Sequence, residues 1–245
     1  MTHGQVFGVS IDSEGYDALI ARLLKRGISG SLPRVSVYSH FFVLLLARRD
    51  PRIHALLNNS TVNCLDGIGT WLALLFLGEH PGMRMNATDY HARLIDSCFS
   101  NGMRIFFLGA DAEVNASLIG RYHQAHPEAA IAGHHGRIAP DDHDVREIIH
   151  RFNPDVLVLG MGVPLQFEWL LRHREHLHVP LIVATGAFFD FAAGTFPRAP
   201  RWMRRIGLEW LHRLLQEPHR LWRRYILGIP AFIFFVLREK LQRLR

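Results

Sequence analysis

Short apolar runs recur along the first two hundred residues, and stretches with helical spacing separate them. Residues 5–11, 35–38, 62–65, 103–108, 131–133, 155–159 and 181–185 read as strands. Between them, helices are predicted over 13–25 behind a Ser13 cap, through Ala47, to about Ala125, over 144–152 and through about Arg174. Buried strands alternating with helices predict an α/β fold: a Rossmann-like parallel sheet core with helices on both faces. Several strands end in glycine-rich turns, at Asp66-Gly67, Gly109-Ala110-Asp111, Gly160-Met161-Gly162 and Gly186. In open α/β sheets ligands bind beyond the carboxyl ends of the strands, so these turns are expected to converge on one cleft.

Beyond Gly194 the pattern changes. Residues 201–215 have helical spacing, with Leu208, Leu211, Leu214 and Leu215 on one face, and Pro218 must interrupt or restart the helix. Leu221, Trp222 and Tyr225 continue the apolar side into a hydrophobic stretch over 226–237. On a preserved helix axis Arg213, Arg220 and Arg224 fall within about 40° of one another, with Arg223 farther round. The expected division is a catalytic core over 1–195 and a basic amphipathic helical C-terminal appendage over 196–245.

Charge sharpens that division. Residues 201–245 carry 11 Lys and Arg against 3 Asp and Glu, whereas residues 1–200 carry 17 against 19. All basic residues except Lys25 and Lys240 are arginine, whose forked guanidinium matches phosphate oxygens. An amphipathic basic segment suits an anionic membrane surface, at roughly 1 kcal/mol per nearby Arg or Lys. The plain alternative is a solvated helix packed on the domain. The apolar runs are too short for the roughly 20 residues of a spanning helix. Only Cys64 and Cys98 are present and no secretory leader opens the chain, so a reducing cytoplasm is the expected compartment.

Three sequence features carry candidate chemistry. Asp66, at a strand end beside Gly67 and Gly69, suits a general base toward a hydroxyl, and equally a turn or helix cap. Gly160-Met161-Gly162, followed by Pro164-Leu165-Gln166, could cradle a phosphate or an amide-like base edge. The third glycine of a dinucleotide fingerprint is missing, which weakens an NAD-dependent oxidoreductase reading. The 16 histidines form no metal motif, and Asp142-His143-Asp144 reads more simply as a helix N-terminus than as a cation site. No metal and no cofactor is expected.

The stretches LDGIGT, RMNATDY, IFFLGAD, HHGRI, NPDVLVLGMGVPLQFEWL and AFFDFAAGTFPRAPRWMRRIGLEWLHRLLQEPHRLWRRY, spread between Val6 and Tyr225, resemble the WecG/TagA/CpsF family of glycosyltransferases. The resemblance implies a Rossmann-like core with a C-terminal appendage. It also implies inverting transfer of a sugar from a UDP-sugar to a polyprenyl-diphosphate-linked saccharide at the cytoplasmic membrane. By the same resemblance Asp66 is the base, Arg84 lies near the sugar and diphosphate, and Gln166 contacts the donor. Arg213, Arg220 and Arg223 close over the site, with Arg224 an equally good candidate on helical geometry. The donor site is expected to draw on Ser39, Asn63, Thr88, Asp89, Gly109, Asp111, Gly160, Gly162, Gln166, Gly186 and Asp190. UDP departure needs positive charge, which arginines would supply.

Two departures bear on specificity. Where the family often has Thr-x-Asn, this chain has Val37-Tyr38-Ser39-His40, and Ala87 replaces a usual glycine. The donor sugar is therefore left open among N-acetylmannosamine, glucose and related sugars. The expected partners are a UDP-sugar, a polyprenyl-diphosphate-linked acceptor and the anionic inner face of the cytoplasmic membrane. Nucleic acid is not expected, because the tail's aromatics are grouped in apolar patches rather than laid out for base stacking. Self-association is left open. A non-catalytic membrane-surface scaffold is the competing reading.

Overall fold

A computed structural model describes residues 3–25, 32–139 and 143–245. Its first half runs β1 (His3–Val6), β2 (Val9–Asp12), α1 (Tyr16–Leu24), β3 (Arg34–Ser39), α2 (Phe41–Arg49), α3 (Pro51–Asn58), β4 (Val62–Leu65), α4 (Gly67–Leu77) and α5 (Ala87–Ser100). Then follow β5 (Ile105–Gly109), α6 (Ala112–Ala125), β6 (Ile131–His134), α7 (His143–Phe152), β7 (Val156–Gly160), α8 (Leu165–His173), β8 (Leu181–Ala184) and α9 (Phe188–Ala192). Four helices close the chain: α10 (Arg201–Ile206), α11 (Glu209–Gln216), α12 (Pro218–Trp222) and, after a π-helical turn over Arg223–Leu227, α13 (Gly228–Arg243).

The strands form one sheet in the order β1-β2-β4-β3-β8-β7-β5-β6. All neighbours are parallel except the β1–β2 pair. The α/β class and the mostly parallel sheet agree with the sequence expectation. The central strands β4, β5, β7 and β8 are buried along their whole length, which explains their unbroken apolar runs. At the β6 edge no residue is fully buried, and the apolar run is shorter.

The stretch 5–11 is a correction. Instead of one strand it is a hairpin, with Phe7 (φ 56°) and Gly8 (φ 73°) forming the turn. A phenylalanine there is unusual. Its ring is fixed edge-on against Phe232 and Phe235 of α13, a contact that sequence spacing cannot reveal. The expected Ser13 cap is also corrected: α1 begins later, behind Gly15 at φ 99°, with no capping side chain.

The C-terminal region departs further. The single helix expected over 201–215 breaks at Gly207, whose φ of 81° ends α10. A Cβ on Gly207 would lie 2.8 Å from both Ile68 and the Arg84 guanidinium, so only glycine lets this turn approach the core so closely. Pro218 restarts the chain at the first position of α12, where its missing N–H costs nothing.

The last helix is rooted in the core. Phe232 and Val236 join the main hydrophobic cluster. The Phe7 N–H donates to Glu239 at 2.9 Å, while Arg243 reaches both the Gln5 carbonyl and Glu79 at 2.8 Å. Among the described residues no helix is long and apolar enough to cross a membrane.

Candidate active site

Asp66 stands where β4 ends and α4 begins, at the carboxyl edge of the sheet. Its backbone N–H donates to the Ser39 carbonyl at 3.2 Å, which pins the β4 exit to the neighbouring β3 end. Although Asp66 occupies the cap position of α4, its side chain does not cap that helix. One carboxylate oxygen instead accepts the Ala87 N–H at 2.9 Å, at the start of α5. A helix N-terminus favours that anion, but burial outweighs it. Burial, with the nearby Glu209 carboxylate, pushes the Asp66 carboxyl up to about 6, against the opposing pull of Ala87, Arg224 and Arg213. A carboxylate with this pKa is ionised at neutral pH and poised to take a proton.

Asp66 faces a cavity of about 1270 Å³. Below it, Tyr38 lies one residue before the end of β3, and its hydroxyl accepts from the Gln166 side chain at 3.3 Å. The Gln166 carbonyl oxygen accepts the Gly186 N–H at 3.0 Å. Gly186 has φ 62° and packs so tightly on Tyr38 that a Cβ would fall 2.2 Å from the hydroxyl. Gln166 is wholly buried, tying three strand ends together under the cavity floor.

Ser39 and Asn63 are equally internal. The Ser39 hydroxyl donates to Asn63 at 2.8 Å, while Asn63 donates its backbone N–H to Asp12 and its side chain to the Ser10 carbonyl. Both lie within the sheet and off the cavity wall.

The other wall comes from the C-terminal helices. Arg84 points to them: its guanidinium donates to the Arg204 and Arg205 carbonyls at 2.6 and 2.9 Å, closing the end of α10. Arg213, on α11, lies over the Phe191 ring, 3.4 Å from Glu217 and 4.0 Å from Asp190. Arg220 is 59% exposed and pairs with Glu217, and Arg223 is exposed over Trp222.

Arg224 is different. It is half-buried against His40 and stacks on the Phe42 ring, and among the described residues its Nε, sealed from solvent, has no hydrogen-bond partner. Among the described residues no carboxylate forms an ion pair with it. Burial consequently pulls its pKa down. A largely desolvated guanidinium in a cavity wall, with no carboxylate in ion-pair contact, is a ready seat for a negatively charged ligand.

His40 caps α2, accepting the Phe42 and Val43 N–H groups through Nδ1. Burial and the charges of Arg224 and Arg213 hold its pKa well below the ordinary range, so the ring is neutral.

The structure thus brings Asp66, Arg84, Thr88, Asp89, Gly162, Gly186, Arg213, Arg220, Arg223 and Arg224 to one cavity. Asp190 stands just behind it through Arg213. Gly109 and Gly160 pack backbone to backbone, with no room for a Cβ on either, and lie off the wall. Asp111 is held outside the cavity by an ion pair with Arg137. Among the described residues no group of three or more His, Cys, Asp or Glu is placed to hold a metal; Asp142 of the Asp142-His143-Asp144 sequence lies outside them.

Comparison with known sequences places the chain in a family. The profile of the glycosyl transferase WecG/TagA/CpsF family matches residues 4–245. The chain belongs to this family. It is 31% identical over 194 residues to an N-acetylglucosaminyldiphosphoundecaprenol N-acetyl-beta-D-mannosaminyltransferase of Bacillus spizizenii, covering 79% of this chain and 75% of the relative. Relatives of the same name from Staphylococcus aureus and Bacillus subtilis are 30% and 29% identical, over 76% and 81% of this chain and 72% and 77% of theirs.

Several cavity residues escaped the sequence reading. Tyr38 and His40 entered it only as departures from a pattern. Asn86 and Glu209, with Arg198 just off the cavity wall, fall inside the family-like stretches, but nothing in their residue type or spacing marks a role. Asn86 caps α5 through its carbonyl oxygen and donates to Glu209 at 2.7 Å, while Arg198 bridges Asp89 and Glu209. These pairs are 11 to 123 residues apart in the chain, so spacing cannot expose them.

Proposed function

We propose that the chain is an inverting, metal-independent glycosyltransferase. It moves a hexosyl group from a UDP-sugar to a polyprenyl-diphosphate-linked saccharide, in cell-surface or exopolysaccharide synthesis. The observation that carries this reading is that one cavity holds both the Asp66 carboxylate and the half-buried Arg224 guanidinium, which has no ion-paired carboxylate among the described residues. Asp66 takes the proton of the acceptor hydroxyl as its oxygen attacks the anomeric carbon. The bond from that carbon to the UDP oxygen breaks, and the diphosphate carries away the electron pair. Arg224 and Arg213 stabilise that charge, and Arg220 and Arg223 add to it at the mouth.

The cavity's apolar side supports a lipid-linked acceptor. Leu72 and Phe76 of α4 face Ile233 and Leu237 of α13, and each is roughly half exposed. An isoprenoid chain laid there would leave its diphosphate beside the arginines. Along α13 and just past its end, Phe234, Leu241 and Leu244 are exposed among Arg238, Lys240 and Arg245, a composition that suits an anionic membrane surface on the cytoplasmic side. On this reading residues 1–195 are the catalytic core and 196–245 the appendage that completes the site. The division is one of function, because α13 packs into the core.

The test is a panel of UDP-sugars with a synthetic polyprenyl-diphosphate-linked N-acetylglucosamine as acceptor. One donor should give a product with inverted anomeric configuration, and Asp66→Asn should slow its formation by about 10²–10⁴-fold. A scaffold would yield no product with any donor and tolerate Asp66→Asn.

A further inference from the structure

Asp66 is surrounded by few charges. From β3 and β4 it is faced by Tyr38 and Cys64, and from the π-helical turn by Tyr225; burial keeps all three protonated at neutral pH. The charged groups around it are Arg224 in that turn and Glu209 and Arg213 on α11. All come from the C-terminal helices, and Glu209 is the one anion among them.

Glu209 is also the best-anchored of the three. Its Oε2 accepts the Asn86 side-chain N–H at 2.7 Å and its Oε1 faces Arg198 at 3.3 Å. Arg198 in turn grips Asp89 on α5. The Asn86 amide cannot turn away, because its oxygen is held by the Thr88 and Asp89 N–H groups. The next residue, Ala87, donates its N–H to Asp66. The start of α5 therefore holds Glu209 through a side chain and Asp66 through the main chain. Arg84 fastens the end of α10 nearby, so α10 and α11 are seated on the core from two sides.

We propose that Glu209 is a positioning residue that couples the seating of α10 and α11 to the readiness of Asp66 to accept a proton. With the helices seated, burial and, beside it, the Glu209 carboxylate outweigh the two arginines and keep Asp66 basic. With them lifted, Asp66 is resolvated and becomes the weaker base of an ordinary carboxylate. The base would thus be armed only when the site is closed. This inference rests on the reading of Asp66 as the base.

The test follows Asp66 directly in the full chain, by carboxyl 13C NMR titration, with Asp66→Asn assigning its resonance. Glu209→Gln keeps an oxygen for Asn86 and removes the charge, so Asp66 should titrate about half a unit lower or more. Arg198→Gln removes the cation beside Glu209 and leaves the Asn86 contact, so Asp66 should titrate higher. Glu209→Asp should restore most of the wild-type value. In turnover assays the acidic limb of kcat/KM should move in the same two directions. Opposite shifts are the signature of charge coupling, whereas simple loosening would move both variants the same way. An unmoved Asp66 in Glu209→Gln, or shifts of one sign in both variants, overturns the inference. If Glu209→Gln does not fold, a wild-type titration in Arg198→Gln overturns it alone. Persisting turnover in Asp66→Asn would instead overturn the catalytic reading and leave the charge coupling standing.

Discussion

The Ala87 N–H donates to the Asp66 carboxylate at 2.9 Å, so the first turn of α5 holds the side chain that α4 leaves uncapped. This contact fixes one oxygen and leaves the other to the cavity. Burial still dominates, and the carboxyl stands near 6. We expect kcat/KM to fall as pH drops through about 6, because only the ionised form takes a proton. Asp66→Asn should lower turnover by about 10²–10⁴-fold, measured with radiolabelled donor at pH 8.

The same carboxylate weakens the fold. A carboxyl raised from 3.8 to about 6 binds its proton more tightly in the native state than in the unfolded chain. Relative stability is therefore complete below about pH 4 and is lost as pH rises through 6. Asp66→Asn should raise stability by about 1–3 kcal/mol at pH 8, and by nothing below pH 4. Urea unfolding at the two pH values checks this.

The four arginines should rank by burial and by prior pairing. Arg224 is desolvated and lacks a carboxylate partner, whereas Arg220 is exposed and paired with Glu217, and Arg223 is exposed over Trp222. Arg224→Ala should cost about 10²–10³-fold in kcat, and Arg223→Ala less than about tenfold. Equal losses across the set, in steady-state assays with saturating donor, would contradict the geometry.

Gly207 should not tolerate a side chain. Alanine there would hold a left-handed conformation and press on Ile68 and Arg84. Gly207→Ala should cost about 1–2 kcal/mol and lift α10 from the core. The check is faster tryptic cleavage at Arg204 and Arg205, with lowered turnover.

The apolar side of the cavity separates acceptors by tail length. Ile233→Asp and Phe76→Asp should raise KM for a long polyprenyl acceptor several-fold, with little change for a short-chain analogue. Vesicle co-sedimentation without acceptor tests membrane affinity apart from this effect.

The sheet was legible because fully buried parallel strands must be apolar throughout. Residues 156–160 and 181–184 declare themselves by composition, and Gly109 and Gly160 are the last residues of β5 and β7. Asp66 was legible too, as a carboxylate placed directly after such a strand. Sequence also marked the C-terminal arginines, because charge inversion is a property of composition.

Tertiary structure decided what each residue does there. Helical spacing ranked Arg224 level with Arg213 and Arg220; packing against His40 and Phe42 is what half-buries Arg224 with no ion-paired carboxylate among the described residues. Gln166, Ser39 and Asn63 looked like ligand-facing polar groups, yet the sheet absorbs their hydrogen bonds. Arg84 is spent on backbone carbonyls 120 and 121 residues away. Local pattern determines which segments become strands and helices, because that depends on periodicity and burial of near neighbours. Electrostatic environment depends on which groups the folded chain brings within a few ångströms, and only the assembled cavity decides that.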